Sequence, residues 1–161
     1  MILKVNDQIP NIEIYLLVDG EPQVKQLGDV LGKHKIILFG VPGAFTSTCS
    51  KIHLPGFIAN AEKIKAKGIK NIFCLSVNDP YVMNAWGEAN NSGDKIKMLS
   101  DPYLFFTKAI GAEVDRNSKG MGTRSNRYTM IIENLKVIKI QVEKETKHCR
   151  LSSAETILDM L

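Results

Sequence analysis

The residues best suited to chemistry lie in the segment VPGAFTSTCS, residues 41–50. Cys49 follows a proline, a glycine and a run of hydroxyl side chains, whereas a cysteine used as apolar filler belongs in an apolar stretch. Thr46 is positioned like a helix N-cap, which would place Cys49 in the first helical turn. Unpaired backbone N–H groups and the positive end of the helix dipole favour an anionic sulfur there. The segment therefore predicts a nucleophilic thiolate.

The surroundings of this sulfur also indicate what it attacks. Backbone N–H groups, the Thr46 hydroxyl and a nearby guanidinium could hold substrate oxygens in line with the sulfur while charge develops on the leaving atom. Such an arrangement suits attack on an O–O bond. From the residue types alone, a helix that merely begins with hydroxyl-rich residues explains the segment equally well.

The segment VPGAFTSTCS resembles the active-site segment of the peroxiredoxins, whose signature is a proline, three residues, a threonine, two residues and the peroxidatic cysteine. Pro42, Thr46 and Cys49 fill these places. The segments SKIHLPGF, CLSVNDPYVMNAWG and GMGTRSNRYTMIIENLKV resemble the small type II, or atypical two-cysteine, branch, so the resemblance covers essentially the whole chain. Ser47 is a departure, because this branch usually has a second proline after the threonine.

The resemblance implies a thioredoxin-like fold and a thiol peroxidase that reduces hydrogen peroxide and alkyl hydroperoxides. In the implied site, Cys49 is oxidised to a sulfenic acid, and Thr46 and Arg127 bind the substrate with it. Pro42 shields the sulfur from bulk water. Arg127 is chosen by its position after the GMGTRS segment, and Arg124 is the weaker candidate. The implied chemistry needs no metal and no cofactor.

The two other cysteines differ in their sequence context. Cys74 lies within NIFCLSV, among predicted strand-core residues, and is interpreted as inert packing. Cys149 lies between His148 and Arg150 in a predicted polar loop that could support partial thiolate character. The resemblance implies that Cys149 resolves Cys49 through an intramolecular disulfide reduced by thioredoxin. Many type II relatives instead use glutathione or glutaredoxin directly, so both reductants stay open.

Length and composition indicate one ordinary globular domain over residues 1–161. The formal charge of +4 is modest and the lysines are scattered, so neither nucleic acid nor a membrane is an expected partner. The N-terminal apolar run is too short for a signal peptide. Three widely separated cysteines argue against a disulfide framework and against a CxxC zinc site. We expect a cytoplasmic protein, and a mature organellar form would look the same.

The predicted elements alternate between strands and helices, with a turn at Asp19-Gly20 after the first strand. Helices are predicted after the opening motif, from Asp79-Pro80, after Asp101-Pro102, and from Ser152 or Ser153. Pro55 should interrupt the first of these near residues 54–56. The predicted strands cover Ile12–Val18, Lys35–Val41, Asn71–Val77, Ile96–Leu99 and the hairpin of Tyr128–Glu133 with Val137–Val142. This pattern predicts an α/β domain whose mixed central sheet is flanked by helices.

Several further side chains have ordinary structural interpretations. His53 is predicted to make a structural hydrogen bond rather than act as a general base. The aromatic residues of the central region are interpreted first as core and second as dimer contacts; they are Trp86, Tyr103, Phe105 and Phe106. The resemblance implies a homodimer formed through loops near the active site.

Two other functions are compatible with the same fold. The chain could be a redox-sensing or holdase-type binding module, but the intact signature with Arg127 favours the enzyme. A general thiol–disulfide oxidoreductase is poorly supported, because residues 46–49 read TxxC where that chemistry needs CxxC.

Overall fold

Seven strands form one mixed sheet in the computed structural model, which describes residues 1–161. Three central strands, Ile36–Gly40, Ile72–Ser76 and Lys97–Ser100, run parallel to each other, and the strand that pairs with each outer member of this set is antiparallel to it. The strands are β1 (Glu13–Val18), β2 (Glu21–Gln26), β3 (Ile36–Gly40), β4 (Ile72–Ser76), β5 (Lys97–Ser100), β8 (Tyr128–Glu133) and β9 (Lys136–Val142), with β6 (Glu113–Asp115) and β7 (Thr123–Ser125) in a separate pair. The spatial order is β2-β1-β5-β4-β3-β8-β9, which confirms the predicted mixed sheet.

Five α-helices accompany the strands, and none of them has both the length and the apolar character needed to cross a bilayer. They are α1 (Leu27–Leu31), α2 (Leu54–Ala66), α3 (Pro80–Ala89), α4 (Phe105–Ala109) and α5 (Ala154–Asp159). The predicted start of α3 at Asp79-Pro80 is confirmed, and a glycine in the left-handed region follows α2. The Asp79 carboxylate accepts the Val82 N–H at 2.9 Å, and Gly68 follows α2 with φ +92°.

Helices cover both faces of the sheet, so β3 and β4 are buried throughout. One core cluster contains Cys49, Cys74 and Trp86 together with residues of α2. The other, on the opposite face, contains Phe106 and residues of α1. The predicted core positions of Trp86 and Phe106 are therefore confirmed, and the segment bearing Cys49 packs on one face only.

Some predictions were incomplete or wrong. Strand β2 was not predicted because every residue of this edge strand is exposed and Pro22 lies within it, so no apolar alternation marks it. The short elements α1, β6 and β7 were also missed. The prediction that Tyr103 and Phe105 belong to the core is wrong, since they are 60% and 47% exposed. Of Tyr103, Phe105 and Phe106, only Phe106 turns inward.

Candidate active site

The segment carrying Cys49 leaves the sheet at the end of β3 and turns into a helix. The Thr46 carbonyl accepts the N–H of Ser50 at 2.9 Å, so helical hydrogen bonding begins there and Cys49 lies in the first turn. The preceding loop is fixed from the next strand, because the Asn78 side-chain oxygen accepts the Ala44 N–H at 2.8 Å. The sheet and the helix together determine where the sulfur lies.

A π-helical turn, Cys49–His53, precedes α2. Its wider hydrogen bond runs from the Leu54 N–H to the Cys49 carbonyl. Pro55 cannot donate to the carbonyl four residues earlier, and the π turn accommodates this loss. The predicted interruption is therefore present. Cys49 and His53 are both buried, and both contact Arg127.

Arg127 reaches the same face of the sheet from the strand on the other side of β3. It immediately precedes β8, in which Tyr128 pairs with Gly40. A Cβ at Gly40 would overlap the Tyr128 ring, so glycine lets this ring cross β3 on one face. Successive side chains point to opposite faces, and Arg127 therefore points toward Cys49. Only 1% of Arg127 is exposed.

The Arg127 guanidinium is fixed by four hydrogen bonds. Its Nη2 donates to the Cys49 Sγ at 3.2 Å, and Nη1 contacts the His53 Nδ1 at 3.0 Å. Its Nε and Nη2 both donate to the Thr146 carbonyl, at 3.1 and 2.9 Å. A guanidinium has five N–H groups, so one N–H on Nη1 has no protein acceptor and is available to a substrate oxygen.

His53 is neutral in this site. Burial, reinforced by the nearby Arg127 charge, lowers the pKa of His53 from 6.5 to about 3. Its Nδ1 therefore accepts from Arg127, and its Nε2–H donates to the Ser152 carbonyl at 3.0 Å. The predicted structural hydrogen bond is confirmed, and this bond also orients the guanidinium. Both ring nitrogens are occupied, which leaves His53 no capacity as a general base.

Thr46 and Pro42 lie in the loop between β3 and the helix that carries Cys49. The Thr46 hydroxyl donates to the Gly43 carbonyl at 2.7 Å, so its proton is committed and its lone pairs remain free to accept. Pro42 is buried in the same loop. The Thr46 side chain therefore does not make the capping bond that the sequence predicted, because its hydroxyl turns back to Gly43 and no backbone N–H of the helix donates to it.

The two candidate arginines have different positions. Arg124 donates through Nε to the Met121 carbonyl at 2.8 Å, and its Nη1 lies 3.5 Å from the Pro42 carbonyl. Arg124 therefore supports the loop, whereas Arg127 contacts the sulfur of Cys49 directly. The structure brings together Cys49 and Arg127, the pair favoured from the sequence.

All three cysteines are free thiols. Burial raises the pKa of Cys74 well above its ordinary value, and the neighbouring Cys49 adds to this while Arg127 opposes it. Burial also raises the pKa of Cys149 to about 11. This direction opposes the expected partial thiolate character of Cys149, because burial removes water that would stabilise the charged form.

Sequence reasoning missed the loop of residues 143–152, which covers the site. Its backbone supplies three acceptors, and these are the carbonyls of Thr146, Lys147 and Ser152. The Lys147 carbonyl accepts from the Thr48 hydroxyl at 3.1 Å. Backbone carbonyls have no residue-type signature, so no sequence pattern could have identified them.

Residues 4–158 match the redoxin family. The chain is 44% identical over 160 residues to Peroxiredoxin-2C of Oryza sativa subsp. japonica. These residues make up 98% of this chain and 97% of that relative. The chain belongs to the redoxin family as a type II peroxiredoxin. Related peroxiredoxins of the same plant include one named chloroplastic and one named mitochondrial.

Solved structures agree with this membership. Reduced Prx3 of Vibrio vulnificus in complex with H₂O₂ superimposes with a TM-score of 0.92, at 43% identity over 98% of both chains. Oxidised Prx3 of the same organism gives a TM-score of 0.90 at 44% identity over 99% of both chains. The predicted thioredoxin-like fold is confirmed. Peroxiredoxins are thiol peroxidases, so this peroxiredoxin is an oxidoreductase with a thiol-dependent antioxidant function.

Proposed function

We propose that this peroxiredoxin reduces hydrogen peroxide and alkyl hydroperoxides with Cys49 as the peroxidatic cysteine, in a site completed by Pro42, Thr46 and Arg127. The observation that carries the proposal is the 3.2 Å contact between the Arg127 Nη2 and the Cys49 Sγ, both in buried side chains. A fixed cation in a site that excludes water favours the thiolate far more than the same cation would at the surface.

The geometry supports an in-line displacement. The Cys49 sulfur attacks one peroxide oxygen, the S–O bond forms as the O–O bond breaks, and the sulfur is oxidised by two electrons to a sulfenic acid. The other oxygen takes up a proton and leaves as water or an alcohol. The free Arg127 N–H donates to the peroxide as charge develops, and the Thr46 lone pairs accept its O–H. Pro42 keeps competing water away.

Cys149 is proposed as the resolving cysteine. Its thiol attacks the Cys49 sulfenic acid, forming a disulfide and releasing water, and a thioredoxin dithiol or glutathione with glutaredoxin restores both thiols. The support is positional, because Cys149 lies in the loop that covers Arg127 and is close enough for the charges of Arg127 and Cys49 to affect its pKa.

Peroxide consumption measured separately with thioredoxin and with glutathione plus glutaredoxin tests these assignments. We expect turnover with at least one donor in the parent, none with Cys49→Ser, and a Cys49–Cys149 disulfide by mass spectrometry after peroxide. Absence of turnover with either donor would refute the peroxide assignment. Unchanged thioredoxin-supported turnover in Cys149→Ser would refute only the resolving role.

We further propose a homodimer formed at the carboxyl ends of the parallel strands. Exposed aromatic side chains follow three neighbouring strands at this edge, and they are Phe45 after β3, Tyr81 after β4, and Tyr103 and Phe105 after β5. A cluster of this kind marks an interaction surface. Light scattering should show a dimer that Tyr103→Asp weakens, whereas Val24→Asp on the exposed edge strand β2 should leave it intact.

The proposed location is the cytoplasm, and the proposed unit is one domain over residues 1–161. Three free thiols suit a reducing compartment, and one continuous sheet joins both core clusters. Imaging of a fluorescent fusion together with an organelle marker tests the location, and a single two-state denaturant transition tests the domain.

A further inference from the structure

One side chain closes the loop of residues 143–152. The Glu143 Oε1 accepts three hydrogen bonds, from the Arg150 N–H at 2.6 Å, the Ser152 N–H at 2.9 Å and the Ser152 hydroxyl at 3.0 Å. Glu143 is 3% exposed, and the Leu151 N–H is a further donor to its carboxylate. A single oxygen therefore ties the start of the loop to its end.

The closed loop contacts both the backbone carbonyl and the guanidinium of Arg127. The Glu143 N–H donates to the Arg127 carbonyl at 3.0 Å, and the Thr146 carbonyl accepts from the guanidinium twice. The loop also supplies the Ser152 carbonyl that fixes the tautomer of His53. Two of the groups that orient the guanidinium, the Thr146 carbonyl and His53, therefore depend on this loop, and the Thr129 hydroxyl also holds the Ser152 carbonyl, at 2.7 Å.

The closing carboxylate is ionised at neutral pH. Burial alone would raise the pKa of Glu143, but hydrogen bonds from Ser152 and Arg150 outweigh it and leave the pKa below its ordinary value. Hydrogen bonds to an ionised acceptor are the stronger kind, and a lone buried carboxylate would be costly without them.

We propose that Glu143 is the positioning residue of this site: by closing the loop of residues 143–152 it sets Arg127 against Cys49 and restrains Cys149 within the same loop. The restraint on Cys149 matters only if Cys149 has the proposed resolving role. Opening the loop frees Cys149 to move, and the same motion takes the Thr146 carbonyl away from Arg127. Loop opening therefore favours disulfide formation and weakens attack on peroxide.

This coupling predicts opposite effects on two successive steps. Glu143→Ala removes all three loop-closing bonds and should slow oxidation of Cys49 while speeding formation of the Cys49–Cys149 disulfide. Glu143→Gln removes the charge but keeps an oxygen that can accept the bonds from Arg150 and Ser152. The glutamine variant should therefore resemble the parent in both steps.

The first step is measured in a Cys149→Ser background, so that its outcome does not depend on the resolving role. Trp86 is the sole tryptophan and donates to the Ser50 hydroxyl at 2.9 Å, next to Cys49, so its fluorescence can follow oxidation in stopped flow. We expect Glu143→Ala to lower the second-order rate constant with hydrogen peroxide about 10²-fold, the cost of a misplaced catalytic group. Glu143→Gln should restore most of it.

Glu145→Ala is the matched control, because Glu145 lies in the same loop but is exposed and pairs only with Lys147. The thiolate absorbance of Cys49 in the ultraviolet should fall in Glu143→Ala and stay unchanged in the control. Should Glu143→Ala fail to fold, Ser152→Ala, which removes one of the three bonds, should give a smaller loss in the same direction. A folded Glu143→Ala that oxidises at the parent rate overturns the proposal, as does equal loss in a folded Glu143→Gln.

The second step is measured with Cys149 present, by acid quench and mass spectrometry of the disulfide. Faster formation of the Cys49–Cys149 disulfide in Glu143→Ala supports the restraint on Cys149. An unchanged or slower rate of disulfide formation refutes that restraint. If the parent forms no disulfide, the resolving role fails, and the rates in the Cys149→Ser background still decide the positioning role.

Discussion

Cys49 and Cys74 lie in the same core cluster, both fully buried, yet their surroundings differ. Cys74 is in the middle of β4, where the backbone is paired on both sides and no cation donates to the sulfur. Cys49 is at the start of a helix, and its sulfur accepts from Arg127. Burial alone therefore does not decide whether a thiol is reactive.

The physical reason is the cost of desolvating an ion. Burial raises the pKa of Cys74, because water no longer stabilises its thiolate, and the distant Arg127 charge only partly compensates. At Cys49 the buried guanidinium replaces the lost water with a directed hydrogen bond. The buried guanidinium of Arg127 therefore distinguishes the surroundings of Cys49 from those of Cys74.

Removing each sulfur in turn gives the largest contrast. Cys49→Ser should abolish peroxide reduction, because a serine hydroxyl is not ionised at neutral pH and cannot form a sulfenic acid. Cys74→Ala should leave the rate of Cys49 oxidation unchanged and lower only the denaturation midpoint through lost core packing. Residual peroxide reduction in Cys49→Ser, or its loss in a folded Cys74→Ala, would break the comparison.

Changing the cation should have the next largest effect. Arg127→Lys keeps a positive charge, but an ammonium cannot reach the sulfur, the Thr146 carbonyl and the His53 nitrogen together. We expect the rate constant for Cys49 oxidation to fall roughly 10²- to 10³-fold in stopped flow.

Arg124→Lys is the control for that variant, because Arg124 supports the neighbouring loop without touching the sulfur. It should lower the rate far less than Arg127→Lys does. Equal losses in both variants would show that general positive charge, rather than the directed contact, distinguishes Cys49 from Cys74.

The pH dependence of stability sharpens the comparison through His53. The unfolded chain protonates this histidine near its ordinary pKa of 6.5, whereas the folded site does so only near pH 3. The unfolded state therefore binds more protons between these values, and the free energy of unfolding falls as pH drops through this range. Between pH 7 and pH 5 the loss should be about 2 kcal/mol, measured by urea denaturation.

His53→Gln should abolish that loss, because glutamine does not titrate. His34→Gln is the control, since His34 is exposed and should leave the pH dependence in place. A parent stability that stays constant from pH 7 to pH 5 would contradict the neutral, buried state of His53.

The sequence predicted the strands buried on both faces and the helix starts at Asp79 and Ser153, because these depend on local apolar runs and capping residues. It also predicted the pairing of Cys49 with Arg127, through the resemblance. It could not predict the exposed strand β2, which is held by its neighbour β1 rather than by its own residue pattern.

A structural hydrogen bond of His53 was predicted, but its partners and the loop contacts of Glu143 were beyond reach. Both act through backbone carbonyls or N–H groups of a loop far along the chain from Cys49. Contacts of this kind depend on how the loop of residues 143–152 folds over the sheet. They become visible only when the three-dimensional arrangement is known.

The smallest expected effect concerns the backbone on which Cys49 sits. Ser47 directly follows Thr46, is exposed, and occupies the first helical position, where the N–H is unpaired and a proline ring fits. Ser47→Pro should raise the free energy of unfolding by about 0.4 to 1 kcal/mol by restricting the unfolded chain. Ser47→Ala separates this from loss of the hydroxyl and should give no such gain. A lower free energy of unfolding in Ser47→Pro would show that the turn before Cys49 needs a backbone geometry that proline cannot adopt. The two cysteines would then differ in backbone as well, since Cys74 lies in the regular extended strand β4.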